Sequence, residues 1–414
     1  LAVKAGYNYA DITETFAVQT EVVSAPIKPG TYRKITGNQG LAIGLIAGAN
    51  MAKKTLMYGS YPITPASDIL HELAKHKNYG VKTYQAEDEI AAIGFAIGSS
   101  FAGQLGITGT SGPGMCLKSE MMGLAIVSEL PLVIVNVQRG GPSTGLPTKT
   151  EQSDLLQAMY GRNGESPLCV LAPKTPADCF GMAVEAVRLA VKFMTPVILL
   201  SDGNIANGSE PWLLPDIEKL EDIPVSHPAP RDNGEPFLPF ARNTETLARE
   251  WGIPGIKGLE HRNGGLAKAD VTGHVSYDPD NNQKMNELRR DKIRRIAQYV
   301  PDAEVVGPES GPLLILGWGS PYGSIFESLT QLKKEGLDNI AHVHLNYINP
   351  FPKNLGEILK HYSKVLIPEL NFGQLLTLIR QQFPGVNCEG FNKVKGQPFK
   401  VFEIKDKIRE VLAK

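Results

Sequence analysis

Cysteine is scarce in this sequence. Cys116, Cys169, Cys179 and Cys388 are spread over 414 residues with no CxxC pair and no histidine-rich spacing. Neither a zinc site nor an iron-sulfur cluster held by this chain is supported, and the four read as reduced core thiols. An excess of one charge is also missing. Lysine and arginine number 42 against 43 acidic residues, so electrostatics make no case for nucleic acid or an anionic membrane as partner. No stretch reaches the ~20 uninterrupted apolar residues of a membrane span, and the N-terminus lacks the basic start and cleavage site of a signal peptide. A cytoplasmic location is therefore expected. The first residue is Leu1 in place of methionine, and the opening residues read as the end of a helix, as though the chain were trimmed behind an upstream domain.

What is present suffices for a large core. Hydrophobic residues make up 42% of the chain, and the length divides naturally into two or three domains. A polar connector ends in Pro29 and Gly30, and the small apolar run Gly37 to Asn50 follows, as in a helix packed closely on a neighbour. Strand-like and helix-like segments then alternate: Leu56 to Ser60, a helix opened by Thr64-Pro65, Val81 to Ala86, a helix over Asp88 to Ala102, Leu105 to Thr108, a helix reaching Glu129, and the continuous apolar run Leu132 to Val137. With Leu168 to Leu171, a helix over Pro176 to Phe193 and Val197 to Leu200, this is the pattern of a doubly wound α/β domain with a parallel sheet. The expected division is 1–30 as the end of an upstream piece and its connector, 31–211 as the first α/β domain, 212–305 as an extension, and 306–414 as a smaller α/β domain. The extension is rich in proline, glycine and charge, with one helical piece over Asn281 to Tyr299.

Four segments in the first domain fall where a strand ends, the edge at which open parallel sheets bind ligands. The first is Tyr61-Pro62-Ile63-Thr64-Pro65; Thr64 is either a binding residue or an ordinary N-cap with Pro65 at N1. The second is Glu87-Asp88-Glu89, whose acids either serve the helix dipole or supply a partly desolvated carboxylate suited to proton transfer. The third is Gly109-Thr110-Ser111-Gly112-Pro113-Gly114, which matches neither GxGxxG nor GxxxxGK[ST] and so supports neither a dinucleotide nor a P-loop nucleotide. The fourth is Gln138-Arg139-Gly140-Gly141-Pro142-Ser143-Thr144-Gly145, where a guanidinium could grip a carboxylate bidentately or merely brace a glycine-rich loop.

Taken together and in this order, with Gly98 nine residues beyond Glu89, the four segments resemble the α subunit of 2-oxoacid:ferredoxin oxidoreductases, and the 2-oxoglutarate type most closely. The resemblance covers nearly the whole chain. Pro368-Glu369-Leu370-Asn371-Phe372-Gly373-Gln374-Leu375 is similar to that family's transketolase C-terminal-like domain, and Leu1 to Ala10 to the last helix of its γ domain. It implies that the first domain is of the thiamine-enzyme pyrimidine-binding type. Glu89 would act on the aminopyrimidine ring of thiamine diphosphate, with Pro62, Ile63, Ser111 and Gly112 lining the cofactor. Thr64 and Arg139 would take the substrate's 2-oxo carboxylate.

No metal ligand is expected in this chain. Ser201-Asp202-Gly203 has no convincing asparagine partner downstream, and Asp202 reads as a strand-end turn residue. The resemblance therefore implies a separate β subunit holding the diphosphate, Mg2+ and a [4Fe-4S] cluster, in an α2β2 assembly that uses coenzyme A and ferredoxin. It implies oxidative decarboxylation of 2-oxoglutarate to succinyl-CoA, or the reverse carboxylation. Pyruvate, branched-chain or aryl 2-oxo acids are the alternatives within the family, since all share these motifs. A noncatalytic α/β module that binds a flavin or nucleotide is the alternative outside it.

Overall fold

A computed structural model of the chain describes residues 1–13, 24, 27–231 and 234–413. The expected connector before Pro29 falls mostly outside the described residues. The opening residues form a helix, Ala2–Ile12, none of whose side chains is buried.

The strands, in chain order, are β1 (Tyr32–Thr36), β2 (Leu56–Ser60), β3 (Val81–Gln85), β4 (Leu105–Thr110), β5 (Leu132–Gln138), β6 (Cys169–Leu171), β7 (Pro196–Asp202), β8 (Ser209–Leu213), β9 (Gly311–Trp318), β10 (Ile340–Leu345), β11 (Tyr347–Asn349), β12 (Tyr362–Glu369) and β13 (Cys388–Asn392). Seven of them build the main sheet in the order β11-β6-β7-β5-β4-β2-β3, and four build a second sheet, β10-β9-β12-β13. All pairs in both are parallel except β11 with β6. Every residue of β5 and β7 is buried, as strands covered on both faces must be.

Two features were not expected. β1 and β8 pair as an antiparallel ribbon beside the main sheet. The short β11, from the C-terminal part of the chain, adds an antiparallel edge to the first sheet through Tyr347 and Asn349. The two sheets are thus joined by a shared edge as well as by packing.

One face of the main sheet is covered by the helices Gly37–Met51 and Asp178–Phe193. They approach closely because Gly40, Gly44 and Gly48 repeat every fourth residue on the contact face. A Cβ on Gly44 would overlap the Phe180 carbonyl and lie 2.8 Å from Ala183 Cβ. The other face carries the helices Glu89–Phe101, Ser119–Ser128 and Leu155–Tyr160, in one apolar cluster that continues through Leu314, Leu316 and Trp318 of the second sheet. Beyond the end of β8, the extension has no strand among its described residues, only isolated bridges such as Phe240 with Val271. It wraps the edge at which the main strands begin: Trp251 Nε1 donates to Ser100 O at 2.9 Å, and Arg249 Nε to Ser128 O and Glu129 O at 3.1 and 3.0 Å. Its helix, Pro279–Arg295, starts at Pro279, where Asp278 caps it through Asn281 N.

Candidate active site

Parallel register brings the four sequence segments to one edge. Ser60 lies opposite Gln85 and Gly109, Thr110 opposite Asn136, and Gln138 opposite Asp202. The loops that follow β2, β3, β4 and β5 therefore leave the sheet side by side.

Of the three acids after β3, Glu87 and Asp88 are exposed and Glu89 is only 7% exposed. Asp88 is the helix cap, its Oδ1 accepting from Ala91 N at 2.7 Å. Capping is therefore done by the neighbour, and the Glu89 carboxylate is left for another use. Its backbone carbonyl accepts from Lys118 Nζ at 2.8 Å, while among the described residues no hydrogen bond reaches its carboxylate. The glycine-rich turn makes room for it. A Cβ on Gly114 would overlap Thr110 Oγ1 and lie 2.9 Å from Glu89 Cγ and 3.1 Å from Glu89 Oε1.

That turn is tighter than the sequence suggested. Gly109 and Thr110 still belong to β4, and Gly112–Leu117 is already a short helix, because Gly114 N and Met115 N both bond to Ser111 O. Ser111 is fully buried, and its hydroxyl has no partner among the described residues. Gly112 sits over Asp154, whose Oδ2 would be 3.3 Å from a Cβ at that position.

Thr64 and Arg139 are brought into contact, but through the backbone: Arg139 Nη1 donates to the Thr64 carbonyl at 2.7 Å. The N-cap reading of Thr64 does not hold. The helix is Ser67–Leu73 with Ala66 at its cap position, because Ala66 N and Ser67 N turn back to Ile63 O first. Pro62 and Thr64 are exposed and Ile63 is partly buried. Arg139 is 7% exposed, and its Nε has no partner among the described residues.

Behind Arg139 lies a network that the sequence did not reveal. Asp154 accepts from Asn136 Nδ2 at 2.9 Å and from Ser153 Oγ at 2.8 Å, and Ser153 Oγ is also bonded to Arg139 O. Burial pushes the Asp154 carboxyl upward, opposed by Asn136, Ser153 and the charge of Arg139. The second sheet reaches the same loop: Gln374 bonds Ser153 O and Leu156 N, and Gly396 N donates to Glu151 Oε1 at 3.2 Å. The available signal was two polar residues, Asn136 and Gln138, in an otherwise apolar buried strand. Lys118, fully buried beside Glu89, gave no signal at all.

Asp202 stands at the end of β7 as a cap. Its Oδ1 accepts from Asn204 N, Ile205 N and Thr150 Oγ1, and its Oδ2 from Ser320 N. Among the described residues, the polar groups without a hydrogen bond at this edge include the Glu89 carboxylate, Ser111 Oγ, Arg139 Nε and Asn136 Oδ1. They suit a ligand that presents a donor to a carboxylate and an anion to a guanidinium.

Comparison with known proteins gives this edge a family. A model described as pyruvate flavodoxin/ferredoxin oxidoreductase, thiamine diphosphate-binding, matches residues 49–277. The chain is 55% identical to the 2-oxoglutarate oxidoreductase subunit KorA of Mycobacterium tuberculosis over all of its own length and 62% of that protein's. It is 31% identical to the 2-oxoglutarate synthase subunit KorA of Methanothermobacter thermautotrophicus, over 89% of this chain and 96% of the other. Among solved structures, the 2-oxoglutarate:ferredoxin oxidoreductase of Magnetococcus marinus, with 2-oxoglutarate, coenzyme A and succinyl-CoA bound, superposes with a TM-score of 0.89 at 32% identity. The match covers 99% of this chain and 70% of that one.

Proposed function

Because the chain belongs to the thiamine diphosphate-binding family of pyruvate flavodoxin/ferredoxin oxidoreductases, we propose that it is the α subunit of a 2-oxoglutarate:ferredoxin oxidoreductase. In the overall reaction 2-oxoglutarate and coenzyme A give succinyl-CoA and CO2, and two electrons leave singly to ferredoxin; the reverse is the carboxylation. The 2-oxoglutarate assignment is supported by the names of the two KorA relatives and by the ligands of the Magnetococcus marinus enzyme.

The observation that carries the reading is Glu89: a buried carboxylate after a strand end, not used as a cap and with no hydrogen bond among the described residues, over a turn whose Gly114 leaves it space. These residues fit the aminopyrimidine of thiamine diphosphate: Glu89 would face a ring nitrogen, and Ser111, Gly112, Pro62 and Ile63 would line the ring. When bound, thiamine diphosphate supplies a carbanion-stabilising centre at which a 2-oxo acid loses CO2. Glu89 would hold and exchange one proton at its carboxylate oxygen. Arg139 would orient the substrate carboxylate through its guanidinium, with Nε free for it, and the exposed Thr64 hydroxyl would add a donor. Asp154, tied to the Arg139 carbonyl through Ser153, would keep that loop in register.

The remaining parts fall to a β subunit in this reading: the diphosphate, Mg2+ and a [4Fe-4S] cluster, in an α2β2 assembly. Asp202 supports that division, since both of its oxygens are already taken by internal donors. The test is co-expression with the candidate β subunit, followed by cofactor analysis and dye or ferredoxin reduction with coenzyme A. Bound thiamine diphosphate, iron and faster reduction with 2-oxoglutarate than with pyruvate are expected. A complex without thiamine diphosphate overturns the reading, and a preference for pyruvate overturns the substrate.

A further inference from the structure

Lys118 has no part in the reaction described above, yet it is fully buried. It stands at the junction between the helices Gly112–Leu117 and Ser119–Ser128. From there its ammonium reaches back to the first turn of the neighbouring helix and donates to the Glu89 carbonyl at 2.8 Å. An enclosed ammonium has three protons to place and costs free energy unless a counter-charge faces it. The charged groups that face Lys118 are Glu89 and Asp88, and Asp88 is exposed and already engaged as a cap. Glu89 is thus the buried counter-charge.

We propose that Lys118 is a positioning residue for Glu89: through the Glu89 carbonyl it pins the start of the helix Glu89–Phe101 and so fixes where the Glu89 side chain stands toward a pyrimidine cofactor. The inference rests on the assignment of Glu89 made above. Desolvation pulls the Lys118 ammonium down to about 8, with Glu89 and Asp88 opposing, so the charge at this position is itself held in place by the two acids.

The test is Lys118→Met in the assembled complex, an apolar replacement of similar length. Thiamine diphosphate affinity is measured by calorimetry, together with kcat and KM. Affinity should fall ~10-fold, as expected for the loss of one hydrogen bond from a charged donor, kcat should fall with it, and KM for the 2-oxo acid should stay unchanged. Lys118→Arg, which keeps a charged donor, should restore both. A folded Lys118→Met complex with wild-type affinity and kcat overturns the proposal. If Lys118→Met fails to assemble, Lys118→Gln, an uncharged donor of shorter reach, decides: a lower affinity at unchanged KM supports the proposal and wild-type affinity overturns it. Should the wild-type complex bind no thiamine diphosphate, the assignment of Glu89 fails first, and that outcome is distinct from a loss confined to Lys118.

Discussion

Two buried glutamates mark opposite ends of the main sheet and are treated in opposite ways. Glu129 lies where β5 begins and is 1% exposed. Arg242 holds it bidentately, with Nη1 to Oε2 at 2.8 Å, and Lys292 bonds the same oxygen. Burial alone would raise its carboxyl, but Lys292 and Arg242 bring it down to about 2. It occupies a left-handed conformation, φ 50°, at the end of the helix Ser119–Ser128, and the extension's cations also cap nearby carbonyls: Arg249 on Ser128 and Glu129, Lys292 on Met194. Glu89, at the other end, has no donor on its carboxylate among the described residues. One end of the sheet is electrostatically complete; the other is left open, which costs stability and is expected where a ligand must enter.

The largest break in this contrast should come from Glu89→Gln. Losing a proton-exchanging carboxylate costs ~10² to 10⁴ in rate, so turnover with 2-oxoglutarate should fall by that factor. The thermal unfolding midpoint should fall only slightly, because Lys118, the internal cation that faces this charge, keeps its bond to the Glu89 carbonyl. A wild-type rate, measured as ferredoxin or dye reduction, removes Glu89 from the chemistry.

Glu129→Gln should do the converse. It strands Lys292 and Arg242 in the interior, and breaking a buried pair by removing one partner costs about 3 to 5 kcal/mol. Urea unfolding should register that loss, while the thiamine diphosphate affinity of whatever remains folded should be unchanged. Equal stability in the two variants would erase the distinction between the two ends.

The legible part of this molecule was the part written in periodicity. Strands such as Leu132–Gln138 and helices such as Asp178–Phe193 follow from apolar runs and spacing, and the glycines every fourth residue in Gly37–Met51 foretold close helix packing. Edges were not legible. β11 joins the first sheet through three residues far along the chain, and β1 pairs with β8 across more than a hundred and seventy positions; local sequence carries no trace of either. At the site, types and order singled out Glu89 and Arg139 as candidates, but which acid caps the helix and which does not depended on one bond, Ala91 N to Asp88 Oδ1. The role of Thr64 was the least readable, since it meets Arg139 through a backbone carbonyl that every residue has.

That last point sharpens the contrast within the open end. If the carbonyl is what Arg139 needs from residue 64, Thr64→Ala should raise KM only a few-fold, through loss of one hydroxyl bond worth about 0.5 to 1.5 kcal/mol. Arg139→Ala removes the charge that would meet the substrate carboxylate and should raise KM by ~10² or more. It should also loosen Asp154, which then keeps Asn136 and Ser153 but no cation. Equal effects of the two substitutions on KM would dismiss Arg139 as the carboxylate anchor.

The smallest expected effect separates the two sheets by pH. His342 is 2% exposed, and its Nε2 is 3.3 Å from His344 Nδ1, with the Tyr322 ring against both and the charge of Lys174 nearby. Desolvation lowers His342 to about 3 and His344 well below its ordinary value, with His342 and Lys174 adding to the latter. A histidine held neutral in the fold takes up its proton on unfolding, so its contribution is complete above about pH 6.5 and is lost as pH falls. Glu129, also depressed, contributes above the usual carboxylate range and is lost only as pH falls toward about 2. The carboxyls raised by burial, Glu151, Asp154, Asp178, Asp202 and Glu369, act in the opposite direction. The histidine share is isolated by comparing wild type with His342→Asn. Between pH 7 and 5.5 wild-type stability should fall by up to about 1.4 kcal/mol per pH unit for each such proton. The variant should be flatter by one proton, and parallel curves would mean that His342 titrates freely in the folded chain.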